Sequence, residues 1–169
     1  MLRRATLTDA PTLARLAEVT FRETFGAHNS AQDMDAHCGA YFGEDIQAAE
    51  IATQDHDTLV FESSATLVGF AQVRWGVVPQ CVGDPSAGEI RRLYVSKAFH
   101  GAGVAQALMG GCLDLMAARG ARHAWLGVWE NNPRAIAFYM KHAFVDVGEH
   151  IFQLGNDLQR DLIMVRSLA

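Results

Sequence analysis

The chain has little from which to build a covalent or metal-bound scaffold. Its only cysteines are Cys38, Cys81 and Cys112, and none forms a CxxC pair. An odd, scattered set argues for free thiols in a reducing compartment, not a disulfide framework. The seven histidines are equally dispersed. No HExxH or His/Cys ligand pattern occurs, so no metal site is expected. No apolar run approaches the roughly 18 residues a membrane span needs. The start, Met-Leu-Arg-Arg-Ala-Thr-Leu-Thr-Asp, lacks the apolar core of a secretory signal. No membrane partner is expected, and the expected location is cytoplasmic. Basic clusters stop at the pairs Arg3-Arg4 and Arg91-Arg92, and the net charge is −5. Nucleic acid is therefore not an expected partner.

What is present suits one α/β domain spanning 1–169. Hydrophobic residues make up 50% and charged residues 20% of the 169 positions, an ordinary globular balance with enough material for a core. No repeat, linker or low-complexity tract interrupts it. Residues 2–6 read as a strand. Thr8 then reads as the cap of a helix reaching about Phe25, with Pro11 in its first turn. Two further helical stretches follow at 31–41 and 44–54. The pattern turns β-rich at 58–63 and 66–75. A Pro- and Gly-containing loop covers 78–88. Strand 89–95, helix 104–119, strand 125–129 and helix 133–141 come next. Segments 144–154 and 162–167 close as a hairpin through Gly155, Asn156 and Asp157. The order predicts a mixed sheet covered by helices.

The most informative segment is Val95-Ser-Lys-Ala-Phe-His-Gly-Ala-Gly-Val-Ala105. A β-branched strand ends there, small residues follow, and a helix begins with Leu108, Cys112, Leu115 and Met116 on its apolar face. Taken as packing, Cys112 belongs to the core. The first amides of a helix have no internal acceptor, and the peptide dipoles add positive potential. Glycine lets an anion approach that backbone without a Cβ in the way. A tight connection would look similar, so the segment alone does not decide. A dinucleotide site of the Rossmann kind is disfavoured, because no acidic residue follows at the required place.

The downstream sequence decides. Val95-x4-His100-x2-Gly103-x-Ala105 resembles the acetyl-CoA pyrophosphate motif of the GCN5-related N-acetyltransferases (GNAT superfamily). Val128-Trp-Glu-Asn-Asn-Pro-Arg-Ala-Ile-Ala-Phe-Tyr139, ending at Ala143-Phe144, is similar to that family's second cofactor motif. Together they cover about residues 89–144. A narrower likeness is carried by Phe21-Arg-Glu-Thr-Phe25, Glu89-Ile-Arg-Arg-Leu-Tyr-Val95, Trp125-Leu-Gly-Val-Trp-Glu-Asn-Asn132 and residues 152–164. These resemble the PaiA-type spermidine/spermine N-acetyltransferases. The resemblance implies a GNAT-like mixed, mostly antiparallel central sheet flanked by helices. It implies acetyl-CoA as co-substrate and a small amine as acceptor, with a polyamine as the finer expectation. A protein N-terminus, a xenobiotic amine, or acetyl-CoA sensing without turnover are the alternatives. Dimers are frequent in the family, and the apolar hairpin 144–164 offers a homodimer contact.

The same resemblance implies roles for individual residues. Backbone amides of Gly101, Ala102, Gly103, Val104, Ala105 and Gln106 would hold the pyrophosphate. His100 stands where the family usually has Gln or Arg. Leu93, Tyr94 and Val95 would pair with the pantetheine arm by strand addition, and Asn132 would reach the arm from the other side. Asn132 before Pro133 is also a good helix entry. An alkyl amine of pKa about 10.4 is only on the order of 0.1% neutral at pH 7, so a base is useful. Glu89 leads as that base, a solvated carboxylate being its alternative. Glu23, Phe25, Tyr41 and Glu130 are the acceptor-side candidates. Tyr139 beside Phe138 would read as packing, but its spacing from Asn132 makes it the proton donor to the departing thiolate.

Overall fold

Seven strands form a single sheet in the order β1-β2-β3-β4-β5-β7-β6. The computed structural model describes residues Met1 to Ala169. The strands are β1 (Leu2–Arg4), β2 (His56–Ser63), β3 (Thr66–Arg74), β4 (Gly88–Val95), β5 (His123–Trp129), β6 (Val145–Leu154) and β7 (Asp157–Ser167). All neighbours are antiparallel except β4 and β5. The helices are α1 (Ala10–Phe25), α2 (Ala31–Tyr41), α3 (Glu44–Ala52), α4 (Val104–Ala118) and α5 (Pro133–Lys141). The mixed, mostly antiparallel sheet flanked by helices is the architecture the sequence implied.

Two cores hold the helices to opposite faces. Leu108, Met109, Cys112 and Met116 of α4 are fully buried against Val68, Ala71, Ala124 and Leu126 of the sheet, with Phe138 and Tyr139 of α5 packed alongside. On the other face Leu13, Ala17 and Phe21 of α1 meet Met34 and Cys38 of α2, Val60, Phe70 and Leu154. Each Leu, Val, Phe or Met among them contributes roughly 1.5–3 kcal/mol on burial. The periodicity of α4 and α1 therefore fixes which face each helix turns to the sheet.

Several boundaries differ from the sequence reading for local reasons. Strand β1 ends at Arg4, because Thr6 and Asp9 exchange bonds (Thr6 N to Asp9 Oδ2, 2.8 Å) around a 3₁₀ turn at Leu7–Asp9. Asp9, not Thr8, therefore precedes α1. A short 3₁₀ turn, Gln80–Val82, sits within the expected loop. The largest difference is β7, which begins at Asp157 and not at 162. Its first residues are polar, yet Gln159 and Asp161 are buried. The hairpin tip is docked on α2, where Asn156 N donates to Asp33 Oδ1 at 2.8 Å.

The site depends on one irregularity. Parallel pairing of β4 with β5 is confined to Gly88–Ala124 and Glu89–Trp125. A register shift between Gln72 and Val73 of β3 places a bulge in β4 opposite them. Bulges bend a strand and raise its twist. Beyond Glu89 the two strands diverge, and β4 presents a main-chain edge with no strand partner.

Candidate active site

The divergence of β4 and β5 opens a cleft of about 280 Å³ through the middle of the sheet. Leu93, Tyr94 and Val95 form one wall, and Gly127, Val128 and Trp129 the other. Asn132, Arg134, Ala135, Phe138 and Tyr139 of α5 with its leading turn, together with His100 and Ala105, line one end. Phe21, Thr24 and Phe25 of α1, with Phe152 and Asp161 of the hairpin, also border it. The walls are largely apolar with a few polar groups between them, the usual make-up of a small-molecule site.

At the α4 end the backbone is arranged for an anion. Gly101 and Gly103 have φ of +81° and +80°, a left-handed conformation that side chains resist. A Cβ at either position would meet nothing within 4 Å, so the space above the turn is open. Ala107 N is the first amide bonded within the helix, to Gly103 O at 3.0 Å. The amides of Val104, Ala105 and Gln106 precede it and have no helical acceptor. Val104 itself is buried, so only its main chain can serve a ligand. His100 Nε2 lies 2.9 Å from the Val95 carbonyl, while Arg134 Nη1 donates to His100 Nδ1 at 2.9 Å. The imidazole thus ties the turn to β4 as the Nε2–H tautomer. Arg134 places a guanidinium beside the turn.

Asn132 reconciles its two expected roles. Its Oδ1 accepts from Ala135 N at 3.2 Å and caps α5. Its Nδ2 is left for the cleft, which Asn132 also lines. Tyr139 is half-buried in the cleft wall, edge-on to Phe138 and Phe144. Burial pushes its hydroxyl up to about 12. Tyr94 is raised for the same reason, with Tyr139 and Asp161 as further influences.

The acceptor side departs from the sequence reading. Phe25 is in the lining, its ring 5.8 Å from that of Trp129. Glu23, Tyr41 and Glu130 are not. Glu23 accepts from Lys97 N at 3.3 Å and so braces the start of the Gly-rich connection. Tyr41 is exposed and packs on His37. Glu130 is paired with Arg160 at 2.9 Å. Glu89 is buried and bonded to Arg74 at 2.5 Å, outside the cleft lining. Burial raises its pKa, and Arg74 pulls the other way. Arg91 and Arg92 do face the cleft, but both are held by Glu50, at 2.8 and 2.6 Å.

One carboxylate of the cleft was not singled out from sequence, although residues 152–161 and 21–41 are the segments expected to build the acceptor cleft. Asp161 is 8% exposed, and its Oδ1 has no hydrogen-bond partner. His150 Nε2 approaches its Oδ2 only to 3.9 Å. Burial lowers the His150 pKa, so the pair is not an ion pair near neutrality. Burial alone lifts Asp161 to about 7. Arg134 was also missed, although it follows the quoted Asn-Asn-Pro. An arginine at that helix start, beside a predicted phosphate turn, was the available signal.

Comparison with known proteins agrees with this geometry. Residues 16–144 match the model of the acetyltransferase (GNAT) family. An uncharacterized N-acetyltransferase of Mycobacterium bovis is 34% identical over 170 residues, covering 96% of this chain and all of that protein. One from Lactobacillus delbrueckii subsp. lactis is 29% identical over 161 residues, covering 95% of this chain and 93% of that one. Among solved structures, the PaiA N-acetyltransferase of Thermoplasma acidophilum in complex with coenzyme A superposes with a TM-score of 0.78 at 19% identity. That match covers 99% of this chain and 98% of the other.

Proposed function

The chain belongs to the acetyltransferase (GNAT) family, and from that premise we propose that it moves the acetyl group of acetyl-CoA onto a small primary amine. The observation that carries this reading is the cleft itself. An anion-ready turn, an open strand edge and a phenol border one volume of about 280 Å³. Acetyl-CoA supplies the activated acetyl group and takes away the sulfur. The chain's own residues do the rest. Amides of Gly101, Gly103, Val104, Ala105 and Gln106 and the Arg134 guanidinium hold the diphosphate; the Ala102 amide, expected to join them, is spent on Phe99 O at 3.2 Å. The free edge of Leu93, Tyr94 and Val95 aligns the arm, and Asn132 Nδ2 donates to it. Tyr139 donates its hydroxyl proton toward the departing sulfur. The raised pKa keeps that phenol protonated across the working range.

The finer reading concerns the acceptor. The 19%-identical PaiA structure and the net charge of −5 support a polyamine such as spermidine or spermine. The lining favours an acceptor that presents a single ammonium to the cleft. Asp161 is its one carboxylate, among Phe21, Phe25, Trp129 and Phe152. Aromatic faces attract such a cation. A polyamine would therefore enter by one end. Unpaired thiols at Cys38, Cys81 and Cys112 support a cytoplasmic setting. The apolar residues Val145, Ile151 and Leu158 exposed on the hairpin support a homodimer contact.

An amine panel with free-thiol detection tests the reading. Spermidine, spermine, short aromatic and aliphatic monoamines and a peptide N-terminus are offered with acetyl-CoA. Thiol release with at least one small amine is expected. Release with the peptide alone, or with none, would reject it.

A further inference from the structure

We infer that Asp161 is the group that receives the acceptor amine's proton. This inference rests on the acetyl-transfer reading above. It assigns the base to a hairpin carboxylate in place of Glu89 on β4.

Three observations converge. First, Asp161 stands at the cleft wall, 92% buried, with Oδ1 bonded to nothing. A buried carboxylate oxygen without a partner is costly and calls for an explanation. A bound ammonium would supply the missing donor. Second, a missing side chain keeps the neighbouring strand from crowding it. Gly127 lies on the neighbouring strand, and a Cβ there would come within 3.0 Å of His150 Cε1 and 3.3 Å of Asp161 Oδ2. Third, nothing else neutralises the carboxylate. From β6 it is faced by His150, whose pKa burial lowers, and from β4 by the Tyr94 phenol. Its strand neighbour Arg160 is turned to Glu130 and Glu149 on the exposed side. Glu89, by contrast, already has a cation, Arg74.

The proton balance is simple. An ammonium R-NH3⁺ gives one proton to Asp161 and becomes R-NH2. The nitrogen lone pair then forms the C–N bond at the thioester carbonyl, and the C–S bond breaks. As the C–S bond breaks, sulfur takes the Tyr139 proton, and the nitrogen's second proton, lost as the amide forms, restores the Tyr139 hydroxyl. Asp161 returns its proton to solvent. A base working near neutrality needs a pKa near the working pH, and burial brings Asp161 to about 7.

The test compares wild type with Asp161→Asn in thiol release. Two amines are used: an ordinary alkyl amine and a fluorinated one already neutral at pH 7. For the alkyl amine, Asp161→Asn should lower kcat/KM at least about 100-fold and abolish the acidic limb with its inflection near pH 7. For the neutral amine the loss should be far smaller. Affinity for coenzyme A should be unchanged, which shows that the variant is folded. Asp161→Glu should restore part of the acidic limb. Equal losses for both amines, or an unaltered pH profile, would overturn the assignment while acetyl transfer stands. A wild type inert toward every amine would overturn both.

Discussion

Tyr139 has two properties that a sequence motif cannot separate. Its ring packs between Phe138 and Phe144, and the residue lines the cleft. A phenol at about 12 is a poor spontaneous donor to an ordinary thiolate near 8.5. The gap closes in the same apolar cleft, because desolvation raises the pKa of a thiolate's conjugate acid as well. In the proposed reaction the hydroxyl would act as a hydrogen-bond donor that releases its proton as the C–S bond lengthens. Replacing Tyr139 by Phe keeps the packing and removes that donor. We expect kcat to fall about 100-fold with coenzyme A affinity nearly unchanged, read by steady-state thiol release and calorimetry. No descending limb from this group is expected below pH 10, since the phenol stays protonated there. Equal turnover in the two proteins would remove the proton-donor role.

The turn before α4 works as an element, not as a set of side chains. Two left-handed glycines and a run of unbonded amides define it. Gly103→Ala would strain the backbone by roughly 1–2 kcal/mol. It would also put a methyl into the open space above the turn, where the proposed diphosphate would sit. In a domain of this size that strain corresponds to a loss of only about 2–8 °C in Tm. Acetyl-CoA affinity should drop at least tenfold, a larger effect than the thermal one, and calorimetry beside a melting curve checks the contrast. Such an element is legible in sequence because its chemistry is local: glycine, small residues and a helix start are consecutive. The same holds for α2 and α5, whose limits at 31–41 and 133–141 agree with the sequence reading. The acceptor side is not local. Asp161 lies in a polar stretch that alternation rules read as loop, and its burial follows from pairing with both β5 and β6. Glu89 sits on the expected strand, but its engagement with Arg74 is a tertiary contact. Glu23 and Glu130 carry the right charge and are spent on a main-chain amide and on Arg160.

Across the whole molecule, two groups of ionisable side chains oppose each other in the pH dependence of stability. His37 is stacked on Phe21, and burial lowers its pKa to about 4. His56, His142 and His150 are lowered too, chiefly by burial. Below about pH 6.5 the unfolded chain binds more protons at these four positions, for His37 down to about pH 4, so stability falls as the solution is acidified. Asp161 acts with the opposite sign. Its pKa rises from 3.8 to about 7 on folding, so the folded chain binds more protons between those values. Its charge costs nothing below pH 4 and up to about 4 kcal/mol above pH 7. In wild type the two slopes partly cancel. Asp161→Asn removes one of them. The variant should be more stable than wild type at pH 8, and its advantage should shrink toward zero by pH 4. Its own stability should therefore fall more steeply with acid. Urea unfolding at several pH values measures this directly. An advantage independent of pH would mean that the Asp161 carboxylate is solvated in the folded protein, and that its open oxygen is met by water and not reserved for an amine.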